Sequence, residues 1–429
     1  MKKFLLIALG FSMQATVQAG ITPDEIDAAA AAVQPQVVEW RRWFHQNPEL
    51  SNHEFETAAY IAEVLRGMGL EPRTGIATTG IVAVIEGGLP GPRVAIRADM
   101  DGLPVTEKTG LPYASTARSV YNDQDVGVMH ACGHDSHMAM ALGAAKILND
   151  MKAELPGSVM LIFQPAEEGL KQYSDGGASV MLEEGIFEVM PEAVFGIHVG
   201  LGPPGGKFAL KSGPLMAAAD RFEITVKGRQ THGAFPWAGV DPIVVSAQII
   251  MGLQTIVSRQ VDLTLAPAVI SVGRITGGIR NNVIPAEVEL EGTIRTFDPD
   301  MRAYIHKAIE TTARSIAEAG GAEVDVLIVA GPPPLINNAE LTAMMLPALE
   351  RASGHPPIII QPQTVAEDFA EFATVAPSLF VFLGNAPEGA DLSTEPTNHS
   401  PYFHMQEVWM ENGVKAFAYM VVDFLKAQE

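Results

Sequence analysis

The sequence has few positive charges for its length. Lys and Arg together number 28 against 50 Asp and Glu in 429 residues, which gives a formal net charge of −22. Proteins that bind nucleic acids or anionic membrane surfaces depend on clustered positive charge, because that charge displaces or replaces counterions at phosphate groups. The acidic balance therefore argues strongly against nucleic acid and membrane lipid as partners.

The sequence also has only one cysteine, Cys132, so no disulfide can form within the chain. An exported protein normally uses its cysteines in pairs, and a lone thiol in an oxidising compartment is a liability unless it is buried or bound. Cys132 is therefore expected to have either a packing role or a chemical role. The residues around it decide between the two.

Long apolar runs are missing as well, since no stretch after the N-terminus reaches the roughly 18 residues that span a bilayer. At the N-terminus, Lys2 and Lys3 precede a shorter apolar run (residues 4–13) and small residues that end at Ala19. This order is typical of a secretory signal peptide over residues 1–19, and the run is too short for a membrane anchor. We therefore expect an exported protein, periplasmic or secreted, with no membrane contact after cleavage.

The length and the order of patterns predict two domains. A chain of 429 residues, 47% of them hydrophobic, exceeds one ordinary domain and can bury a large core. Short β-rich runs alternate with helical patterns, which is typical of an α/β domain with a doubly wound, mostly parallel sheet. The strands are expected at residues 81–85, 94–96, 159–163, 193–199 and 379–383, and the helices at residues 56–67, 134–149 and 178–184.

The first helix is expected to begin after Thr22, because Pro23, Asp24 and Glu25 are favourable residues for a first helical turn. Apolar residues then recur at helical spacing up to Phe44. Proline inside a helix removes a hydrogen bond and clashes with the preceding turn. We therefore expect Pro35 to divide this stretch.

A different pattern follows Lys211. The order is strand, helix, two strands and helix, with half-exposed strands, which is typical of a small α+β open-faced sandwich. We assign residues 20–210 and 329–429 to the larger domain, and residues 211–328 to a domain inserted between its halves. The inserted elements are expected at residues 221–227, 242–257, 269–276, 287–295 and 301–319.

Three short motifs carry donors that bind divalent metals. Cys132 and His134 lie two residues apart where a helix begins, and thiol and imidazole suit zinc, manganese and related ions. Glu167 and Glu168 follow an apolar strand, so one carboxylate could bind a metal while the other faces the bound water. His198 lies inside an apolar strand. Taken singly, these motifs could also be a packed helix start, a solvated acidic loop and a core histidine.

The positions of the motifs make a shared site more plausible than the separate explanations. Each motif lies in or just beyond a predicted strand, as do Asp99, Asp101 and His399, and open α/β sheets bind ligands at the carboxyl ends of their strands. Two ions about 3.5–4 Å apart suit hydrolysis by a bridging water. Five donors suffice for two ions if the thiolate bridges them, namely Cys132, His134, Glu168, His198 and His399.

In order along the chain, these segments resemble the M20 family of metallopeptidases. The branch that they resemble contains amidohydrolases acting on N-acyl amino acids, such as hippurate hydrolases, auxin-conjugate hydrolases and aminoacylases. The resemblance covers nearly the whole mature chain, and the ordered set of motifs is highly specific. It rests on residues 41–50 and 96–104, the Cys-Gly-His and Glu-Glu motifs, and residues 281–285, 367–369 and 399–401.

The resemblance implies a role for each matched residue. Glu167 would be the general base, and Asn282 would contact the substrate. His232, in the inserted domain, would enter the active site of a partner subunit, so the inserted domain would form a homodimer. The ligands of two divalent ions, zinc or manganese with cobalt or nickel as alternatives, would be Cys132, His134, Glu168, His198 and His399.

The expected function is metal-dependent hydrolysis of the amide bond in an N-acyl or N-aryl-acyl amino acid. Glu167 would take a proton from a metal-activated water, His232 would help to stabilise the oxyanion, and Asp101 would orient a ligand imidazole. A dipeptidase or carboxypeptidase with the same chemistry remains an alternative. A periplasmic solute-binding protein is a non-enzymatic alternative, although such a protein needs no base beside its metals.

Three features depart from the family pattern. Asn52 replaces a common aromatic residue, the segment 169–177 is longer than the usual glycine-rich turn, and Trp237 replaces a common histidine. The last two lie near the expected substrate site and leave the specificity open. Glu367 and Asp368 are expected either in a solvated turn or near the metal site.

Overall fold

The computed structural model describes residues 20–169, 177–200 and 202–428. The expected signal peptide, residues 1–19, and most of the segment 169–177 lie outside these residues. The α-helices of the described part are α1 (Pro23–Gln46), α2 (Phe55–Gly67), α3 (His134–Asp150), α4 (Gly177–Glu183), α5 (Pro242–Thr255), α6 (Pro299–Ala319), α7 (Ala339–Ser353), α8 (Ala370–Val375) and α9 (Met410–Ala427). The strands are β1 (Arg73–Ile76), β2 (Gly80–Glu86), β3 (Leu89–Asp99), β4 (Arg118–Tyr121), β5 (Gln124–Gly127), β6 (Pro156–Gln164), β7 (Ala193–Gly200), β8 (Phe208–Leu210), β9 (Gly213–Met216), β10 (Ala218–Lys227), β11 (Thr231–His232), β12 (Ala268–Gly277), β13 (Val283–Ile284), β14 (Glu287–Thr296), β15 (Glu323–Val329), β16 (Leu335–Asn337), β17 (Ile358–Ile359) and β18 (Ser378–Gly384).

Eight strands form a central sheet in the order β1-β2-β6-β3-β7-β18-β8-β17. The neighbours β6, β3, β7 and β18 run parallel, as do β8 and β17, whereas the pairs β1–β2, β2–β6 and β18–β8 are antiparallel. The predicted mostly parallel α/β sheet is therefore confirmed. Each strand and helix predicted for this domain overlaps an observed element, because buried strands and amphipathic helices leave clear periodic patterns.

Helices cover both faces of this sheet. Along β3, Val94 and Ile96 point to one apolar core, which includes residues of α1, α3, α7 and α9. Ala95, between them, points to a second core that includes residues of α4 and α8. Successive side chains of a strand point to opposite faces, so a strand buried on both sides is apolar throughout, as β3 is from Val94 to Ile96.

Helix α1 begins as predicted but is not divided. Thr22 forms a capping box with Glu25, which satisfies the free N–H groups of the first turn. Pro35 lies inside the continuous helix, so the predicted break is wrong. The loss of one backbone hydrogen bond is tolerated because the helix buries a long apolar face on the core, formed by Ile26, Ala30, Val37, Trp40 and Phe44.

The inserted segment forms a four-stranded antiparallel sheet in the order β12-β14-β10-β15. Helices α5 and α6 share a separate apolar core with it. All five elements predicted here are observed. Strand β15 was not predicted, although Glu323, Val324, Asp325 and Val326 alternate between polar and apolar residues. The domain boundaries themselves, and the assignment of this sheet to dimerisation, remain predictions.

Polar residues interrupt helix α5 and the turn after it, Pro242–Gln260, so the sequence shows no long apolar run there, but the segment is long and apolar enough on average to cross a membrane by length and composition alone. In the structure, this helix packs on the inserted sheet through Val245, Ile249 and Leu253. Its other face leaves apolar side chains such as Met251 exposed. The helix therefore contributes both to the core of the inserted domain and to an apolar surface.

Candidate metal centre and active site

The predicted metal donors meet at the carboxyl ends of the central strands. Glu167 and Glu168 follow β6, His198 lies near the end of β7, and Cys132 lies two residues before His134, the first residue of α3. His399 lies in the loop after β18. Because β6, β3, β7 and β18 are parallel neighbours, their carboxyl ends share one edge of the sheet, where open α/β folds bind ligands.

The donor atoms form two groups that share one sulfur. Atoms of Cys132, His134 and His198 lie within 4.8 Å of one another, and so do atoms of Cys132, Glu168 and His399. The Cys132 Sγ atom is 3.4 Å from His198 Nε2, and His399 Nε2 is 3.2 Å from Glu168 Oε1. A cysteine common to both groups is in the place that a bridging ligand of two ions needs.

The two inner histidines present their free nitrogen to this centre. His134 Nδ1 donates to the carbonyl of Asp101 at 2.8 Å, and His198 Nδ1 donates to the carbonyl of Val199 at 2.7 Å. In the neutral form that a metal ligand requires, each ring therefore carries its lone pair on Nε2. His134 Nε2 is buried and has no hydrogen-bond partner among the described residues. A buried nitrogen without a hydrogen-bond partner, on a ring oriented by an outer hydrogen bond, fits a metal ligand.

The thiol of Cys132 also fits a metal ligand. Burial raises the pKa of this thiol above its usual value, so the thiolate is disfavoured by the protein alone. A bound divalent cation reverses that balance, because coordination deprotonates the sulfur outright. The chemistry of the donor set therefore suits two divalent ions of borderline softness.

Asp101 shapes the turn that carries the paired glutamates. Its carboxylate accepts from the backbone N–H groups of Glu167, at 3.2 Å, and Glu168, at 3.0 Å, and from the Ser51 hydroxyl at 2.6 Å. The structure therefore gives Asp101 two contacts with the site. Its carbonyl accepts from the His134 ring, and its carboxylate positions the turn that carries the general-base candidate.

A second buried acid, Glu54, supports the same turn. One Glu54 oxygen accepts from the backbone N–H of Ala166 at 2.9 Å, and the other accepts from the Thr79 hydroxyl at 2.6 Å. Ala166 has φ +52°, a conformation that a residue with a side chain adopts at a cost in energy. Sequence analysis missed Glu54, because nothing near it in the chain indicates a contact 112 residues away.

Glu167 lies among other acids. Its carboxylate is within 4.8 Å of those of Glu367 and Asp368, which are buried, so the alternative of a solvated turn is wrong. Burial raises the pKa of Glu167 well above its usual value, and the charges on Glu367 and Glu168 raise it further. Burial likewise raises the pKa of Asp368 to about 8. The chain by itself thus places more acidic side chains here than its basic groups balance, and burial favours their protonated form in the absence of a bound cation.

Arg97 is the buried cation of this cluster, and sequence analysis did not single it out. Its guanidinium contacts Asp99 at 2.6 Å, Glu367 at 2.8 Å and Asp368 at 3.0 Å. One guanidinium faces three carboxylates besides Glu167. Metal ions beside Glu168 would therefore complete the charge balance of the site.

His137 and Asn398 hold the ligand-bearing segments together. His137 accepts from the Val199 N–H at 2.8 Å and donates to Asp99 at 2.5 Å. The Asn398 amide donates to the carbonyls of Cys132 and Val199, both at 3.0 Å. Asn398 directly precedes His399, and this position beside a predicted metal donor was the only signal in the sequence for its contact with the site. Through its two bonds, His137 links the ends of β3 and β7.

A cavity of about 890 Å³ opens over these groups. The metal-donor candidates Cys132, Glu168, His198 and His399 line one part of it, together with Glu167. Its volume is that of a typical small-molecule site. The arrangement of donors, a free carboxylate and a cavity can position a small substrate over activated water.

His232 and Asn282 lie elsewhere, in the inserted segment. The strands β11 and β13 pair there, and the Gly233 N–H donates to the Asn282 carbonyl at 2.8 Å. Within the described part of the chain, neither His232 nor Asn282 lines the cavity. His232 is exposed, and its Nδ1 accepts from the Ala234 N–H at 3.0 Å, so the proton of the neutral ring is on Nε2.

Most of this chain, including the predicted site residues, is similar to known proteins. A family model described as peptidase family M20/M25/M40 matches residues 95–423, which include the donors and Glu167. The N-acetyl-L-cysteine deacetylase of Bacillus subtilis (strain 168) is 41% identical over 354 residues, 82% of this chain and 81% of that protein. Thermostable carboxypeptidase 2 of Saccharolobus solfataricus is 38% identical over 396 residues, 91% of this chain and 96% of that protein.

A solved structure of a Bacillus subtilis protein, described as a dinuclear metal binding peptidase from the M20 family, is also similar. It shares 35% sequence identity with a TM-score of 0.77, and the match covers 92% of this chain and 99% of that one. The similarity extends over both the central and the inserted sheet, because it spans nearly the whole of each chain.

Proposed function

Because the chain belongs to the peptidase family M20/M25/M40 and is therefore a metal-dependent hydrolase, we propose that it cleaves the amide bond of N-acyl amino acids. The observation that carries this proposal is the placement of Glu167. Its carboxylate lies within 4.8 Å of donor atoms of His134 and Glu168, with Oε2 3.9 Å from His134 Nε2, but it belongs to neither of the two Cys132-centred donor groups. A carboxylate beside the metal donors that need not bind metal is available as a base.

Cys132, His134, Glu168, His198 and His399 would hold two divalent ions, zinc or manganese with cobalt or nickel as alternatives. When bound, such ions lower the pKa of water and polarise a carbonyl oxygen. Burial and its acidic neighbours raise the pKa of Glu167, and bound cations beside it would oppose that rise. Glu167 then accepts a proton from the attacking water and delivers it to the leaving amine.

His232 would stabilise the oxyanion by donating its Nε2 proton, and Asn282, beside it, would contact the substrate. Because neither residue lines the cavity of its own described chain, we assign them to the site of a partner subunit in a homodimer. The inserted sheet supports this assignment, since β12 is an edge strand and α5 exposes Ile243, Val244 and Met251. Exposed apolar side chains and a free sheet edge are common features of a subunit interface.

A substrate screen tests the reaction. Apo-protein reloaded with zinc, manganese or cobalt is assayed on N-acyl amino acids, dipeptides and longer peptides, with hydrolysis measured as released amine. The proposal expects the highest kcat/KM on N-acyl amino acids. Preference for peptides would favour the carboxypeptidase alternative, to which the similarity with thermostable carboxypeptidase 2 points. No turnover on any of these substrates would favour a binding protein.

Mixed dimers test the shared site. Glu167→Gln keeps His232 to donate, and His232→Ala keeps Glu167 and the metal ligands. Co-expression makes half of the dimers mixed, each with one complete site, so activity should recover to roughly a quarter of the wild-type level. The control replaces His232→Ala by the double variant Glu167→Gln/His232→Ala, which cannot complete any site. No recovery in verified mixed dimers would mean that His232 does not act across the interface.

We also propose that the protein is exported and cleaved after Ala19. The support is the basic, apolar and small-residue order of residues 1–19. N-terminal sequencing of the protein recovered from the periplasm or the medium should begin at Gly20. A mature protein that retains Met1, or that stays in the cytoplasm, would contradict the proposal.

A further inference from the structure

The cavity over the metal donors has a polar part and an apolar part. The polar part carries the donors and Glu167. The apolar part, called here the apolar wall, is formed by Met216, Ile358, Ile360, Val365, Phe382 and Leu392. The wall begins beside a metal-ligand candidate, because the Phe382 ring centroid is 6.1 Å from that of His198. A group attached to a carbonyl at the metal donors would therefore meet the wall directly.

Several wall residues are exposed although they are large and apolar. Ile358 is 42%, Val365 59% and Leu392 39% exposed. Scattered apolar residues on a convex surface need no explanation, but these three line one concave surface together with a catalytic centre. Such a surface gains free energy when an apolar ligand group covers it. The wall is therefore the part of the cavity that selects a substrate by apolar area.

The charges of the cavity decide which half of a substrate meets the wall. Among the described residues that line it there is no Lys or Arg, whereas Glu167, Glu367 and Asp368 do line it. An N-acyl amino acid has an uncharged acyl half and a half that carries a carboxylate. A carboxylate without a cation beside it is strongly disfavoured in a partly buried site. The metal donors cannot serve the carboxylate, because the scissile amide must lie there.

We propose that the acyl half binds the apolar wall, and that this enzyme selects acyl groups that are large and apolar, such as medium-chain alkanoyl or aryl-acyl groups, over acetyl. The inference rests on the proposed function and adds to it the class of acyl group. An acetyl group ends one carbon beyond the carbonyl and leaves the wall uncovered. A group of about six carbons or a benzoyl ring covers it and removes its apolar area from water.

A series of substrates with one amino acid and different acyl groups tests this proposal. The groups are acetyl, butanoyl, hexanoyl, octanoyl and benzoyl, and the leaving amine is the same throughout. We expect kcat/KM to rise by about fourfold for each methylene that the wall covers. Hydrolysis of the acetyl substrate at the highest kcat/KM would overturn the inference and leave the proposed function intact. No hydrolysis of any member would instead reject the proposed function.

Two adjacent isoleucines provide a matched pair of variants. Ile358 and Ile359 both lie on β17, but successive side chains of a strand point to opposite faces. Ile358 lines the cavity, whereas Ile359, 64% exposed, does not. Ile358→Thr should lower the ratio of kcat/KM for the hexanoyl and acetyl substrates by about fivefold, and Ile359→Thr should leave that ratio unchanged.

The ratio compares two substrates on the same sample, so partial misfolding of either variant does not change it. An unchanged ratio in Ile358→Thr, or an equal fall in both variants, would overturn the placement of the acyl group on the wall.

Discussion

Buried carboxylates occur both in the catalytic cleft and in the inserted domain, and the protein balances their charge differently. In the inserted domain, Asp220 lies at the start of β10 and accepts from Arg302 at 2.6 and 3.0 Å, from His306 at 2.7 Å and from the Gly331 N–H at 3.0 Å. Burial alone would raise the pKa of Asp220. The hydrogen bonds from His306 and Arg302 outweigh burial, so this pKa lies below its usual value.

In the cleft, the acids outnumber their partners. Arg97 is shared by several carboxylates, and burial keeps the pKa of Glu167 well above its usual value. Asp220 therefore has all its partners within the chain and acts as a structural anchor where the chain enters and leaves the inserted sheet. The cleft is complete only with cations from outside the chain. The functional region of this molecule is therefore marked by buried acidic groups that the basic groups of the chain do not balance.

The largest effect that tests this contrast is expected at the paired glutamates. Glu167→Gln removes the base but no proposed ligand, so activity should fall by about 10²–10⁴-fold while both metals stay bound. Glu168→Gln removes a ligand and should lose metal as well as activity. Metal analysis of the two purified variants distinguishes the roles. Loss of metal from Glu167→Gln would reverse the assignment.

A smaller effect is expected at the structural anchor. Asp220→Asn removes the charge that Arg302 faces and should lower the free energy of unfolding by about 2 kcal/mol. Urea unfolding followed by circular dichroism measures it. Asp325→Asn is the control, because Asp325 forms an exposed pair with Lys227 on the same sheet and should change little. Equal destabilisation by both variants would remove the distinction between the two pairs.

The rate at which thiol reagents label Cys132 tests whether the cleft holds bound cations. A metal-bound thiolate has its lone pairs occupied, so the holo-protein should resist thiol reagents and chelation should speed labelling by about tenfold or more. Cys132→Ser measures the background. Equal labelling rates with and without chelator, in protein that circular dichroism shows to be folded, would rule out the bridging thiolate.

The pH dependence of the anchor is the smallest of these effects. Because the pKa of Asp220 is lowered in the folded state, its stabilising contribution is complete above about pH 4 and is lost as the pH falls further. The stability difference between wild type and Asp220→Asn should stay constant from pH 7 to pH 5 and shrink below about pH 4. A difference that grows on acidification would contradict the lowered pKa.

Much of this architecture was predictable because it depends on periodic patterns. The helix that begins at His134 and five strands of the central sheet, β2, β3, β6, β7 and β18, were predicted, whereas the short strands β1, β8 and β17 of that sheet were not. The break predicted at Pro35 was wrong. The hydrogen bond that proline removes can be recognised from the local sequence, but the packing of α1 on the core, which outweighs that loss, depends on contacts with distant residues. Strand β15 was missed because its pattern is short and begins two residues after a glycine turn that ends α6.

The amino-acid sequence by itself determined which donor groups are available and where strand ends place them. Cys132, His134 and the paired glutamates could be recognised from local motifs and from the edge rule for parallel sheets. Only the tertiary structure decided how these groups act. The free nitrogen of His134 is set by a carbonyl 33 residues away, and the charge on Arg97 meets Asp368 across 271 residues. Hydrogen-bond direction and charge balance depend on atoms within a few ångströms, and folding brings those atoms together from distant parts of the chain.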